Sequence, residues 1–277
     1  MTHGEMSLSE LIHSMIPDEV KSKIDYKPIS DHEYAQLQCD WYNNRVGNLT
    51  GFDCPKCKNR GNFQVLDAED NHVIRECSCM AQRKYIAAMN AAGLSELYEK
   101  CTFDTYTVSN DFQKTCKERV MRYAAKEGNG WLWISGQSGI GKTHLCTAVC
   151  SELAKRGRGI KYVQWKPLYN KLVQTKFKLE EQDQIMNELI HADVLYIDDF
   201  LKTPNNIAPN SEMLSYALEI IDARYKGEKK TILSTEFVLD DILKFDEALG
   251  SRISERTAEF KVQVLRQEGR NYRRKGK

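Results

Sequence analysis

Eight residues limit the fold of this chain more than any others: Gly136-Gln137-Ser138-Gly139-Ile140-Gly141-Lys142-Thr143. They fit G-x-x-x-x-G-K-[ST], a loop whose backbone amides curl around phosphate oxygens. Such a loop works between a strand and a helix, because the helix N-terminus adds its positive potential to that of the amides. Both neighbours are legible. Trp131-Leu132-Trp133-Ile134-Ser135 is an apolar run of strand length. From Lys142 to about Lys155 the pattern turns helical, and it stops near Gly157 and Gly159. Lys142 is expected to reach the β- and γ-phosphates of ATP and Thr143 to place its hydroxyl on Mg²⁺. His144 is counted with the loop among the nucleotide-contacting residues.

The pattern around the loop alternates. Strands are predicted at 131–135, 160–164, 193–198, 230–235 and 260–265, with helices between them. That alternation predicts an α/β domain with a mostly parallel five-stranded sheet and helices on both faces. The loop then lies at the carboxyl end of its strand, where open α/β sheets bind ligands. Val194-Leu195-Tyr196-Ile197-Asp198-Asp199 is a second apolar strand, ending in two carboxylates. Asp198 is expected to hold Mg²⁺ and Asp199 to orient or deprotonate the attacking water. Thr231-Ile232-Leu233-Ser234-Thr235-Glu236 is expected to lie between those two strands, its polar tip near the γ-phosphate. In Gly250–Arg256, Arg252 and Arg256 stand four apart on one helical face. Either could stabilise charge on a transferring phosphoryl group in a neighbouring subunit.

Upstream, Cys54-Pro55-Lys56-Cys57 and Cys77-Ser78-Cys79 are two close pairs flanking a β-like stretch that holds Phe63, Val65, Val73 and Ile74. This is the ligand layout of a zinc ribbon or knuckle. Four thiolates close a tetrahedral Zn²⁺ site, so the role is structural, and the metal would supply folding free energy that residues 51–80 lack a core to provide. His72 is the reserve ligand. Cys146 and Cys150, four apart after the phosphate loop, read as buried small apolar groups, and Cys39, Cys101 and Cys116 show no pattern.

Nine cysteines is an odd count, and Met1–Glu5 lacks the basic and apolar regions of a secretory signal, so a reducing, cytoplasmic setting is expected. No apolar run approaches the ~20 residues of a membrane span. A formal net charge of +1 gives no general affinity for nucleic acid, although Arg266–Lys277 is strongly basic. Near the N-terminus, Leu8, Leu11, Ile12, Met15 and Ile16 fall at helical spacing behind Ser7 or Ser9, and a second amphipathic stretch runs through Tyr34, Leu37, Trp41 and Tyr42. Residues 81–100 read as a helical connector.

Together these features resemble the bacterial and phage replicative helicase loaders of the DnaC/DnaI type, which are AAA+ ATPases of the IstB-like ATP-binding group. The resemblance rests on the cysteine module, Thr102-Phe103-Asp104-Thr105-Tyr106, Gly136–Thr143, Asp198-Asp199, Ile220-Ile221-Asp222-Ala223-Arg224-Tyr225, Gly250–Arg256 and Asn271-Tyr272-Arg273. It implies a lidless AAA+ core over 101–277 and an N-terminal helicase-interacting domain over 1–100. It makes Arg256 the arginine finger, with Arg252 second. Arg273 takes the second-sensor position on nucleotide phosphate, and Ser234–Glu236 takes the first. Glu236 departs from the usual Asn, and Asp199 from the usual Glu, which points to slow hydrolysis. The implied partners are a DnaB-type replicative helicase, further copies of the chain through the ATPase domain, and single-stranded DNA. The DNA segment would be Trp165-Lys166-Pro167-Leu168-Tyr169-Asn170-Lys171 through Lys176-Phe177-Lys178, where lysines interleave with aromatics. The implied function is ATP-dependent loading of the replicative helicase onto single-stranded DNA. Two other readings stay open: an IstB-type transposition helper on duplex DNA, and an adaptor that binds nucleotide without turning it over.

Overall fold

A computed structural model describes residues 14–21, 29–91 and 95–264. The chain divides into two units, Met1–Met80 and Ala81–Lys277.

The first unit has a helical turn at Asp18–Lys21, helix α1 (Asp31–Asn44), and two antiparallel strands, β1 (Asn62–Leu66) and β2 (His72–Glu76). Ser30 and Glu33 close a capping box at the start of α1. Asn43 ties the other end to β1: its side chain accepts from the Gln64 N–H and donates to the Gln64 carbonyl, at 2.9 and 2.8 Å. The amphipathic stretch is thus helical, yet Tyr34, Leu37 and Trp41 are exposed and Cys39 is its buried residue. The helix expected behind Ser7 or Ser9 lies mostly outside the described residues.

The second unit takes up most of helix α2 (Cys79–Ala91) and continues through α3 (Ser95–Lys100), α4 (Asp111–Ala125), β3 (Leu132–Gly136), α5 (Lys142–Lys155) and β4 (Ile160–Gln164). Next come α6 (Trp165–Gln174), α7 (Leu179–His191), β5 (Val194–Asp198), α8 (Ser211–Lys226), β6 (Lys230–Thr235), α9 (Leu239–Phe245), α10 (Glu247–Arg256) and β7 (Lys261–Val264). The connector expected with the N-terminal part belongs here. Tyr85 and Met89 are fully buried in the same core as Val149 and Leu153, so the boundary falls at 80/81 and not at 100/101.

The five predicted strands form one parallel sheet in the order β4-β5-β6-β3-β7. Side chains alternate across it. Leu132 and Ile134 of β3 enter one core with Tyr123 and Val149, whereas Trp131 and Trp133 enter another with Trp165, Phe200 and Ile220. Both faces are covered, so the strands are near-continuous apolar runs. Because all five run the same way, Gly136, Asp198 and Thr235 end at one edge of the sheet.

Candidate functional site

At that edge the chain leaves β3 through glycines at positive φ, where a side chain would be strained. Gly136 has φ +140°, and a Cβ there would lie 2.6 Å from the Val264 carbonyl oxygen. Gly141 has φ +92°, and a Cβ would lie 2.9 Å from the Tyr106 ring. Gly141 is also the N-cap of α5 and carries no side chain to satisfy the first amides, which stay available to an anion. A cavity of 440 Å³ opens here, lined by Ser138, Gly139, Gly141, Lys142, Thr143 and His144. Its far wall comes from Leu97, Cys101 and Thr105–Thr107, and its rim includes Asp199 and Lys202.

Lys142 is buried and donates to the carbonyls of Gly136 and Gln137, at 2.7 and 3.2 Å. Burial lowers its pKa, tempered by the Glu236 and Asp199 carboxylates. Asp198, 5% exposed, sits among hydroxyls. Tyr196 donates to it at 2.8 Å, Thr143 at 3.3 Å, Tyr162 at 3.5 Å, and Ser234 also donates to it. A carboxylate fixed 3.3 Å from the Thr143 hydroxyl, at the edge that holds the glycine loop, is the donor set a magnesium ion with retained waters takes up. Asp199 follows at φ 54°, its N–H donating to Ser234 Oγ at 3.1 Å. That left-handed turn swings its carboxylate out of the strand line to a 2.8 Å ion pair with Lys202. Lys202 also pairs with Glu236 at 3.2 Å, and Asn206 donates to Glu236 at 3.0 Å. His144 points its Nε2 at the Thr102 carbonyl, 2.8 Å away, and packs edge-on against Tyr106. It therefore braces the Thr102–Tyr106 wall while lining the cavity. Ile140 is buried against Gly136, inside the loop.

In the first unit, Cys54, Cys57, Cys77 and Cys79 are all buried and their sulfurs lie within 4.8 Å of one another. Cys54 and Cys77 are 3.8 Å apart, and Cys57 and Cys79 are 3.5 Å apart. Four sulfurs at ~2.3 Å from one tetrahedral ion would be about 3.8 Å apart, so the set fits zinc. The Gly61 N–H donates to Cys57 Sγ at 3.3 Å, the kind of contact that steadies a thiolate ligand. His72 is engaged elsewhere, with Cys39 Sγ at 3.3 Å and Gln38 at 3.0 Å, so the reserve ligand is not part of the cluster.

Residues 97–258 match the family described as the bacterial DnaA ATPase domain. The chain belongs to this family. It is 30% identical over 224 residues to the phage-like element PBSX protein XkdC of Bacillus subtilis, covering 76% of this chain and 82% of that protein. It is 26% identical over 171 residues to the replicative helicase loader DnaC of Escherichia coli, covering 60% of this chain and 66% of that one. The crystal structure of the DnaC helicase loader superposes with a TM-score of 0.50 at 20% identity, over 61% of this chain and 98% of that one, a likeness of fold. The second unit is thus a DnaC-type AAA+ domain of the replication-initiation class, a nucleotide-binding fold.

The AAA+ core brings Lys142, Thr143, Asp198 and Asp199 to one sheet edge. It does not bring the arginines there. Trp131 N–H donates to the Arg256 carbonyl at 3.1 Å, which sets Arg256 at the opposite end of β3, about 17 Å of strand from the loop. Arg252 is committed to Asp222 at 2.7 Å and to the Ala248 carbonyl at 2.8 Å. Arg256 meets Glu228 only at 3.8 Å, and its Nε and Nη2 have no hydrogen-bond partner among the described residues. Arg273 and the basic tail Arg266–Lys277 lie outside the described residues. In the candidate DNA segment, Trp165 is fully buried against Phe200 and Tyr169 is half-buried. Neither offers a face to a base, because the first turns of α6 pack on the sheet. Phe177, 92% exposed, does.

Sequence reasoning did not single out Lys202 or the hydroxyls of Tyr196 and Tyr162. Tyr196 is visible in retrospect two residues before Asp198, where strand alternation puts both on one face. Arg224, within Ile220–Tyr225, is fully buried. It donates to the carbonyls of Leu189, Ile190 and Ala192 and to Thr231 Oγ1, so it caps the end of α7.

Proposed function

We propose that this chain is an ATP-dependent loader of a DnaB-type replicative helicase onto single-stranded DNA. The observation that carries the reading is a magnesium-competent phosphate site in a DnaC-type AAA+ domain, on a chain whose other unit is a four-cysteine module. The DnaC relative is named a replicative helicase loader. In this reading Lys142 contacts the β- and γ-phosphates, and Thr143 and Asp198 hold Mg²⁺, which screens phosphate charge when bound. Asp199 orients the attacking water. Hydrolysis is slow, in keeping with an aspartate held in an ion pair. Arg256 acts on the neighbouring subunit's nucleotide: its guanidinium is under-satisfied at home, whereas Arg252 is already paired. Arg273 serves as the second sensor. Copies of the chain associate through the ATPase domain, and the N-terminal unit up to Met80, steadied by zinc on the four thiolates, engages the helicase. Phe177 and the exposed lysines Lys166 and Lys171 contact single-stranded DNA. Among the described residues no helix is long and apolar enough to cross a membrane, and the site of action is the cytoplasm.

The test is capture of a hexameric DnaB-type replicative helicase by the purified chain with MgATP, beside a transposase control. Helicase captured, and released on hydrolysis, supports loading. Capture of the transposase instead would move the protein to the transposition helpers. The carboxylate–lysine pair at Asp199 favours a second reading, a nucleotide-dependent adaptor. Equal, negligible phosphate release from the intact protein, Lys142→Ala and Asp199→Asn would establish it.

A further inference from the structure

Glu236 is in an odd place for a carboxylate. It stands just past the end of β6, beside the strand that ends at Asp198 and Asp199, and it is 13% exposed. With no proton to donate, it offers nothing to a phosphate and would repel one. It is also pinned: Asn206 donates to one oxygen at 3.0 Å and Lys202 meets the other at 3.2 Å. Lys202 is held on the same short stretch. Asp199 and Leu201 both take left-handed conformations, φ 54° and 58°, and the Lys202 N–H closes the turn on the Asp199 carbonyl at 3.0 Å. Phe200 and Leu201 bury fully beneath it, so the turn has little freedom to move. Its ammonium bridges Asp199 and Glu236, yet Lys202 still lines the cavity that Lys142 enters.

Three carboxylates, Asp198, Asp199 and Glu236, thus face two ammoniums, Lys142 and Lys202. A triphosphate adds several negative charges to this group, and only donors can receive them. Lys142 serves the loop side. On the side of Asp199, Lys202 is the cation bordering the cavity. We propose that Lys202 reads the γ-phosphate. On arrival of a triphosphate it moves its hydrogen bond from Asp199 to a γ-phosphate oxygen, with Glu236 as its anchor, and Asp199 is left free for water. Burial works against the charge on Lys202, but its two carboxylate partners outweigh that and raise its pKa, so it is a cation at neutral pH. The inference rests on the nucleotide reading above and deepens it: the same lysine that pairs with Asp199 senses which nucleotide has entered.

Titration with fluorescent ATP and ADP analogues, with Mg²⁺, tests it in the full chain. Lys202→Met keeps the length and removes the charge. The expected result is at least a tenfold loss of affinity for the triphosphate and less than a twofold change for the diphosphate. Lys202→Arg, which keeps a donor there, should hold the ratio of the two affinities within threefold. If Lys202→Met binds both analogues as the unmodified chain does, or weakens both equally, Lys202 does not read the γ-phosphate, although the nucleotide site stands. If Lys202→Met does not fold, a Lys202→Arg protein that has lost its preference for triphosphate overturns the proposal. An unmodified chain that binds neither analogue removes the nucleotide reading itself.

Discussion

At the scale of single residues, the site is a contest between burial and charge. Lys142 and Asp198 are both nearly inaccessible, and each is held by polar neighbours. Lys142→Ala or Asp198→Asn should leave the fold intact and lower phosphate release at least ~100-fold, since each removes a charge aimed at the transferring group. At Lys230 burial likewise prevails over charge. It is buried with Tyr123 under its ammonium and the Gly128 carbonyl at 3.0 Å, and burial pushes its pKa down to about 8. An unfolded lysine titrates near ~10.4. Between those two values the unfolded chain holds the extra proton, so this residue makes stability rise with pH from about 8 to ~10. Lys230→Met should flatten that rise, read as melting temperature at pH 7.5 and 10. Arg224→Met should destabilise by about 3 kcal/mol or more, because the helix-end carbonyls it serves become buried orphans. A denaturant midpoint at unchanged slope would measure it.

At the scale of elements, the glycine loop works because β3 ends in a residue without a side chain, Gly136, and α5 is capped by another, Gly141. The cysteine module depends on its pairs in another way. With two five-residue strands and few apolar side chains to bury, the four sulfurs stand where a small core would be. We expect one zinc per chain by metal analysis, and Cys77→Ser should open this module while the AAA+ domain keeps its nucleotide affinity. Loss of nucleotide binding in Cys77→Ser, with Mg²⁺ present, would show that the two are not independent. The amphipathic stretch at 31–44 and the lysine–aromatic stretch at 165–178 carry similar patterns with different fates. Trp165 is core, whereas Trp41 is surface. Periodicity gives the helix but not what lies against it.

At the scale of the whole molecule, one chain holds half of the proposed hydrolytic machinery at each end of its sheet. A protomer lacking Lys142 still has Arg256, and one lacking Arg256 still has Lys142. Mixing Lys142→Ala with Arg256→Ala should therefore restore part of the hydrolysis that neither variant shows alone. No recovery, with both variants assembling normally, would assign the finger elsewhere, first to Arg252.

The sequence by itself determined the α/β class, all five sheet strands to within a residue or two, the phosphate loop, the acid pair and the cysteine set. Each is a local pattern: a period of two, a glycine where φ must be positive, a fixed spacing of ligands. Tertiary structure decided what local pattern cannot encode. It moved the domain boundary to 80/81, because Tyr85 and Met89 find their burial against α5 residues some sixty positions away. It withdrew Trp165 from solvent, gave His72 to Cys39, and set Arg256 at the far end of β3 from the loop. It also brought Lys202, already beside Asp199 in the same turn, to Glu236, thirty-four residues on, a contact that only the pairing of β5 with β6 creates.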